Sequence, residues 1–199
     1  MDLNEFTNWR PIAIPQIFFN IYSKLVYNRI SPYLFKHQSW DQHGFTPGIR
    51  IEDALLCAEV AIEHHLEFQL PMGMLSMDMR KTFDTIDHSV LMQSLRSKGL
   101  PEEYISLLTI LYADQKGVVN HSSEFLIQRG VKQGDTLSAI LFNCILNMAF
   151  DLWLASLTHE GILIAHGLSR LTNIRYADDI LLYAKSLDEL VWLRDYYMK

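Results

Sequence analysis

Three carboxylates stand where carboxylates are costly. Asp178 and Asp179 interrupt "IRYADDILLYAKS" at residues 174–186, and Asp78 closes the apolar run "MLSMD" one hundred residues earlier. Ionised carboxylates flanked by Ile, Tyr and Leu carry a desolvation penalty unless a partner offsets it. Alone, an Asp-Asp pair between two strand-like runs is a turn former. In a straight strand the two side chains would point to opposite faces, whereas a hairpin bend lets both approach one point. If the strand ending at Asp78 lies beside that hairpin in one sheet, three carboxylates meet at one edge, and their repulsion calls for a divalent cation. Hard oxygen donors with few other protein ligands suit Mg²⁺, which fills its octahedron with water and substrate phosphates. Two such ions about 4 Å apart serve in-line phosphoryl or nucleotidyl transfer, one activating a 3′-hydroxyl and the other holding the triphosphate and leaving pyrophosphate.

The elements needed to position these residues can be read from periodicity. Residues 72–79 predict a buried strand ending in Asp78, and "LTNIRY" and "ILLYA" predict two strands around a tight turn. "GILIAH" predicts a further strand, and short strands are expected around 117–120 and 124–129. A helix over 16–30 places Ile17, Ile21, Tyr22, Leu25 and Val26 on one side, and Ser31-Pro32 predicts a restart with Ser31 as cap. The turn-rich "DQHGFTPGIR" leads into a helix from Glu52 or Asp53, and further helices are expected over 88–98, 102–113 and from Ser186. After "RGVKQGD", the face Leu137, Leu141, Cys144, Met148, Leu152 predicts a long helix. Strands and helices mix without βαβ regularity, which makes the class α+β.

A chain of 199 residues with 49% apolar and 20% charged side chains has globular composition, enough for one well-cored domain. The apolar runs fall short of the roughly 20 residues that span a bilayer, so no membrane is expected. The polar N-terminus "MDLNEFTNWR" has neither a secretory nor a transit pattern. Cys57 and Cys144 lack metal-ligand spacing and predict reduced core residues of an intracellular protein. His64-His65 point in different directions on a helix and read as surface histidines. The net charge of −6 argues against a basic grip on nucleic acid. It is uneven, because residues 1–50 hold five basic and three acidic side chains and the remainder twelve and twenty. An acidic majority is either a solvated surface or a cation site.

At this point the residues resemble a family. "MLSMDMRKTFDTIDH", "RGVKQGDTLSAILFN" and "RYADDILLYAKS" are similar, in order, to the three central motifs of reverse transcriptases. "NWRPIAI" and "DQHGFTPGIRIEDAL" resemble the two upstream finger motifs of the non-LTR (LINE-type) retrotransposon and group II intron branch. The resemblance runs from about residue 8 to 186. It implies a right-hand polymerase, with about 1–70 fingers-like and about 71–199 mostly palm, apart from a fingers-like excursion near 115–132. It implies RNA-directed DNA synthesis with two Mg²⁺ ions (Mn²⁺ a possible substitute), an RNA template, a DNA primer and deoxynucleoside triphosphates. Asp78 and Asp178 match the principal metal ligands, with Asp179 beside them. Phe83 resembles the residue that packs under the nucleotide sugar and excludes a 2′-hydroxyl by bulk; a core Phe is the other reading. Gln133 and Gly134 resemble the loop that touches incoming nucleotide and template, and Lys132 adds a phosphate contact. Tyr176 packs near the primer end or is a half-buried strand tyrosine. Arg10 contacts the template backbone or is a surface arginine.

The match departs from the family at several places. Ile49 stands where an arginine usually holds the triphosphate, and Arg50, one residue later, is the candidate to replace it. Thr46 stands where a basic residue is common, Thr136 and Ala139 replace frequent prolines, and Thr82 replaces a common alanine. The chain ends about thirteen residues after "YAKS", so the later palm lysine, primer grip and thumb are expected to be absent, as is an endonuclease. A second reading follows: a catalytically inactive mobile-element remnant that keeps the fold and weak nucleic-acid binding. A third is a Mg²⁺-dependent phosphotransferase acting on a small phosphate substrate without a template.

Overall fold

The computed structural model describes residues 12–79, 81–119, 123–164 and 170–197. Among these residues the element order is α1 Ile17–Phe35, α2 Ile51–Glu67, β1 Gly73–Asp78, α3 Thr82–Thr85, α4 His88–Ser97, α5 Glu102–Tyr112, β2 Lys116–Gly117, β3 Phe125–Leu126, α6 Thr136–Ala155, β4 Ile162–Leu163, β5 Arg170–Leu171, β6 Asn173–Tyr176, β7 Asp179–Ala184 and α7 Leu187–Tyr197. Every ladder between strands is antiparallel, and with the helices this gives the expected α+β class. The chain divides into two compact units, each drawn from two segments: Met1–His37 with Lys81–Leu146, and Gln38–Arg80 with Asn147–Lys199.

The first unit is mainly helical. Asp87 starts α4 by accepting from the backbone N–H groups of Ser89 at 2.8 Å and Val90 at 3.4 Å, which satisfies two donors that no helix carbonyl can reach. Glu102 and Glu103 open α5 after Pro101, where negative charge meets the positive helix end. The loop that precedes α6 is tied to α3 through its main chain. The N–H of Gly130 donates to the Ile86 carbonyl and that of Val131 to the Phe83 carbonyl, both at 2.7 Å.

The second unit is built on a three-stranded sheet of order β1-β7-β6. β7 is the central strand, and Ile180, Leu182, Tyr183 and Ala184 are nearly inaccessible, so both its faces are covered. Helix α2 closes one face, with Ala54 and Ala61 packed in a cluster with Ile162, Leu171, Ile174 and Tyr183. Small residues on α2 let it approach the sheet closely. Helix α7 packs on β1 and β7, where Leu190 and Leu193 are buried.

Several expectations are corrected. Helix α1 runs without interruption through Pro32, and Ser31 is buried inside it instead of capping a restart. Its buried stripe is Ser23, Val26, Ile30 and Leu34, whereas Ile17, Ile21, Tyr22 and Leu25 are exposed. The helix is apolar on more than one side, and its tertiary neighbours select the stripe. The face of α6 holds at Leu137, Leu141 and Cys144 but turns away at Leu152, where Phe150 and Trp153 are buried instead. Strand β1 alternates between exposed and half-buried residues, because it is an edge strand. Cys57 is exposed, unlike buried Cys144. His65 is buried and its Nδ1 meets the Ala61 carbonyl at 2.9 Å, one helical turn back. Thr136–Ala155 is long and apolar enough to cross a membrane by length and composition, yet 61% of it is buried inside the protein, as in a core helix.

Candidate functional site

The register of the sheet places the three carboxylates at one end of it. Asp78 ends β1 directly opposite Asp179, the first residue of β7, and Asp179 also faces Tyr176 across the β6–β7 hairpin. Ala177 and Asp178 form the two-residue loop between them. The ladder holds this register along its length, from Gly73 opposite Ala184 to Asp78 opposite Asp179. Asp78 and Asp179 are exposed and Asp178 is half-buried. Among the described residues no group of three or more His, Cys, Asp or Glu side chains is arranged so that together they could hold a metal ion. The donor set nonetheless fits Mg²⁺, which takes one or two protein carboxylates and leaves the rest of its shell to water and phosphates. Solvent-facing carboxylates at a sheet edge leave that room.

The loop that carries Asp178 is held from behind by the turn-rich segment that resembles a finger motif, through a residue, Gln42, to which the sequence assigned no role. Ala177 has a φ of 57°, which a residue with a Cβ rarely adopts. The Gln42 side chain, fully buried, brackets this residue. Its Nε2 donates to the Ala177 carbonyl at 3.2 Å, and its Oε1 accepts from the Ala177 N–H at 3.0 Å and the Gly44 N–H at 2.8 Å. Gly44 lies so close behind the loop that a Cβ there would stand 2.1 Å from the Ala177 nitrogen.

Residues 41–43 are anchored in turn to β6. The Arg175 N–H donates to the Asp41 carbonyl at 2.7 Å, and the His43 N–H donates to the Arg175 carbonyl at 2.8 Å. The side chains of Arg175 and Asp41 form a buried, hydrogen-bonded ion pair. Arg175 also donates to Asn147 Oδ1 at 3.3 Å and lies 4.0 Å over the Phe150 ring. Burial lowers the pKa of His43 below its ordinary value, with the charges of Asp53 and Asp41 opposing the shift.

The other expected site residues have definite places. Tyr176 is half-buried against the cluster beneath α2. Arg50 precedes α2, its side chain exposed and its N–H donating to Asp53 Oδ2 at 2.7 Å. Thr46 donates to the Gln42 carbonyl at 3.0 Å and accepts from Gln38 at 3.3 Å, contacts that a long basic side chain would not reproduce. In the helical unit, Phe83 stacks on Phe142 with ring centroids 4.6 Å apart and is half-buried. The ammonium of Lys132 lies 3.8 Å over the Phe19 ring, and burial lowers its pKa. The Gln133 carbonyl accepts from the Ala13 N–H at 3.0 Å, and Gly134 follows with a φ of 103°. Asp135 is buried, and burial raises its carboxyl pKa despite the Ser23 hydroxyl and the backbone N–H groups at the start of α6. Arg10 lies outside the described residues.

A family model described as "Reverse transcriptase (RNA-dependent DNA polymerase)" matches residues 4–196. A retrovirus-related Pol polyprotein from type-1 retrotransposable element R2 of Popillia japonica is 28% identical over 91% of this chain. The polyprotein from type-2 retrotransposable element R2DM of Drosophila melanogaster is 27% identical over 90%. The chain spans 26% and 17% of the length of those two relatives. Among solved structures, apo telomerase from Candida tropicalis, truncated from its C-terminal domain, superposes with a TM-score of 0.65 at 17% identity, over 98% of this chain and 41% of that one. At that identity the likeness shows the polymerase fold alone.

Proposed function

The chain belongs to the reverse transcriptase (RNA-dependent DNA polymerase) family, and we propose that it carries the RNA-directed DNA polymerase activity of a retrotransposon. The observation that carries the reading is the pairing of Asp78 with Asp179 across β1 and β7, with Asp178 in the adjoining loop. Asp78, Asp178 and Asp179 would hold two Mg²⁺ ions, with Mn²⁺ as a substitute. Bound there, the cations supply acidification of a primer 3′-hydroxyl and neutralisation of charge on the phosphates.

The rest of the work falls to side chains that bind and orient. Phe83 is assigned to the nucleotide sugar, where one ring face braced by Phe142 leaves the other to exclude a 2′-hydroxyl. Gln133 and Gly134 are assigned to the incoming nucleotide and template, and their main chain is already steadied by Ala13. Lys132 and the exposed Arg50 would contact phosphates, Tyr176 the primer end and Arg10 the template backbone. The partners are an RNA template, a DNA primer and deoxynucleoside triphosphates, in an intracellular setting. The fingers-like assignment of about 1–70 and of 115–132, with palm elsewhere from about 71 to 199, belongs to the same reading.

The test is primer extension by the 199-residue chain on an RNA template with annealed DNA primer, Mg²⁺ and the four deoxynucleotides. Extension is expected and Asp178→Asn should abolish it. Activity that survives Asp178→Asn would refute the cation assignment. A wild-type chain that binds nucleic acid without extending the primer would favour the remnant.

A further inference from the structure

Gln42 is a fully buried polar side chain whose hydrogen bonds go to the main chain of the carboxylate loop and to its own turn. Loop residue Ala177 sits at positive φ with both of its peptide groups turned toward Gln42. A two-residue hairpin gains no stability from an alanine in that conformation, since Gly, Asn or Asp would adopt it at lower cost. The amide of Gln42 offsets this cost by acting as an extra strand partner, donating to one peptide group and accepting from the other. Gly44 closes the space behind, where any side chain would push the loop outward. The ion pair between Asp41 and Arg175 fixes the segment that carries Gln42 to the strand leading into the loop. Asp178 and Asp179 follow Ala177 directly, so the direction in which they leave the backbone is set by the peptide groups Gln42 holds.

We propose that Gln42 is a positioning residue for the carboxylate loop, holding Ala177 in its left-handed conformation so that Asp178 and Asp179 present their oxygens to a divalent cation. This deepens the reading above and rests on its assignment of Asp178 and Asp179 as cation ligands. Its chemistry is that of an outer-shell partner: it touches neither cation nor substrate, and acts through the geometry of groups that do.

The experiment compares wild type, Gln42→Ala and Gln42→Glu in the full chain. Glu keeps the shape and an oxygen acceptor for the Ala177 and Gly44 N–H groups, and in the protonated form that burial favours it also keeps a donor for the Ala177 carbonyl, so it should be the milder change. Amide hydrogen exchange reads the loop without reference to activity. Residues 176–179 should exchange about tenfold faster in Gln42→Ala and less so in Gln42→Glu, with α4 and α5 unchanged. Mn²⁺ affinity, measured by calorimetry, should fall roughly tenfold in Gln42→Ala, and the Mg²⁺ concentration for half-maximal primer extension should rise in parallel. A purely structural role would reduce the amount of active protein and leave both metal dependences in place. If Gln42→Ala does not fold, Gln42→Glu decides by the same readouts. Wild type that binds Mn²⁺ and extends a primer, together with unchanged loop exchange and metal affinity in the variants, overturns the positioning role alone. Wild type that neither binds Mn²⁺ nor extends a primer overturns the polymerase reading, and the cation half of the proposal with it.

Discussion

Asp41→Ala should destabilise the second unit far more than its single contact suggests. The Arg175 guanidinium is wholly inaccessible and Asp41 nearly so, with side-chain exposures of 0% and 1%. Removing the carboxylate leaves a buried cation facing the Asn147 amide oxygen at 3.3 Å and the Phe150 ring at 4.0 Å. Neither supplies a full negative charge. Breaking a buried pair from one side costs about 3–5 kcal/mol, a large share of the roughly 5–15 kcal/mol that holds a domain folded. Asp41→Asn keeps the shape and an acceptor oxygen but still leaves the guanidinium without its countercharge, so it should cost nearly as much as Asp41→Ala. The double variant Asp41→Leu/Arg175→Met removes both charges and should recover most of the loss. Urea unfolding followed by circular dichroism measures all three. With a slope of about 1–3 kcal/mol per molar, the midpoint of Asp41→Ala should drop by roughly 2 M. An Asp41→Ala midpoint within experimental error of wild type would refute the reasoning, as would a double variant no more stable than the single one.

Two further outcomes follow from local geometry. Gly130 has a φ of 88°, and a Cβ there would lie 2.9 Å from the Asp84 and Phe83 backbone; Gly130→Ala should therefore cost about 1–3 kcal/mol, read as a lower melting temperature by differential scanning fluorimetry. His43 has its pKa held below the ordinary 6.5 by burial, so the folded state favours the neutral ring. Its burial is harmless above pH 6.5, and stability should fall as the pH drops below that value toward the folded-state pKa. His43→Gln should flatten this acid-side slope in urea midpoints taken at pH 7 and 5.5, and an unchanged slope would contradict the assignment.

The sheet and its carboxylates were legible because strand patterning is local and their pairing had few alternatives. An apolar run ending in Asp78 and a hairpin whose turn carries Asp178 can join in one sheet, and they do so with Asp78 opposite Asp179. Helix α1 shows where pattern reading stops. Its two apolar stripes, Ile17–Ile21–Leu25 and Val26–Ile30–Leu34, are equally periodic, and only tertiary packing selects between them. Arg175, in the middle of "NIRY", looks like an outward strand residue until its partner Asp41, 134 positions away, is known. Gln42 offered a turn and a polar side chain but no sign that its amide would bracket Ala177. Long-range polar pairs leave no periodicity in a sequence. Gly44 gave the nearest hint, since a glycine outside a positive-φ turn marks a close backbone approach.

The central claim is that the carboxylate edge formed by Asp78, Asp178 and Asp179 supports template-directed nucleotide addition. The most direct measurement is single-nucleotide addition by the 199-residue chain to a labelled DNA primer on four RNA templates that differ only in the first unpaired base. The account predicts that each template selects its complementary deoxynucleotide in the presence of Mg²⁺, and that Asp178→Asn adds none. Addition that ignores the template base, or equal addition by Asp178→Asn, would contradict it.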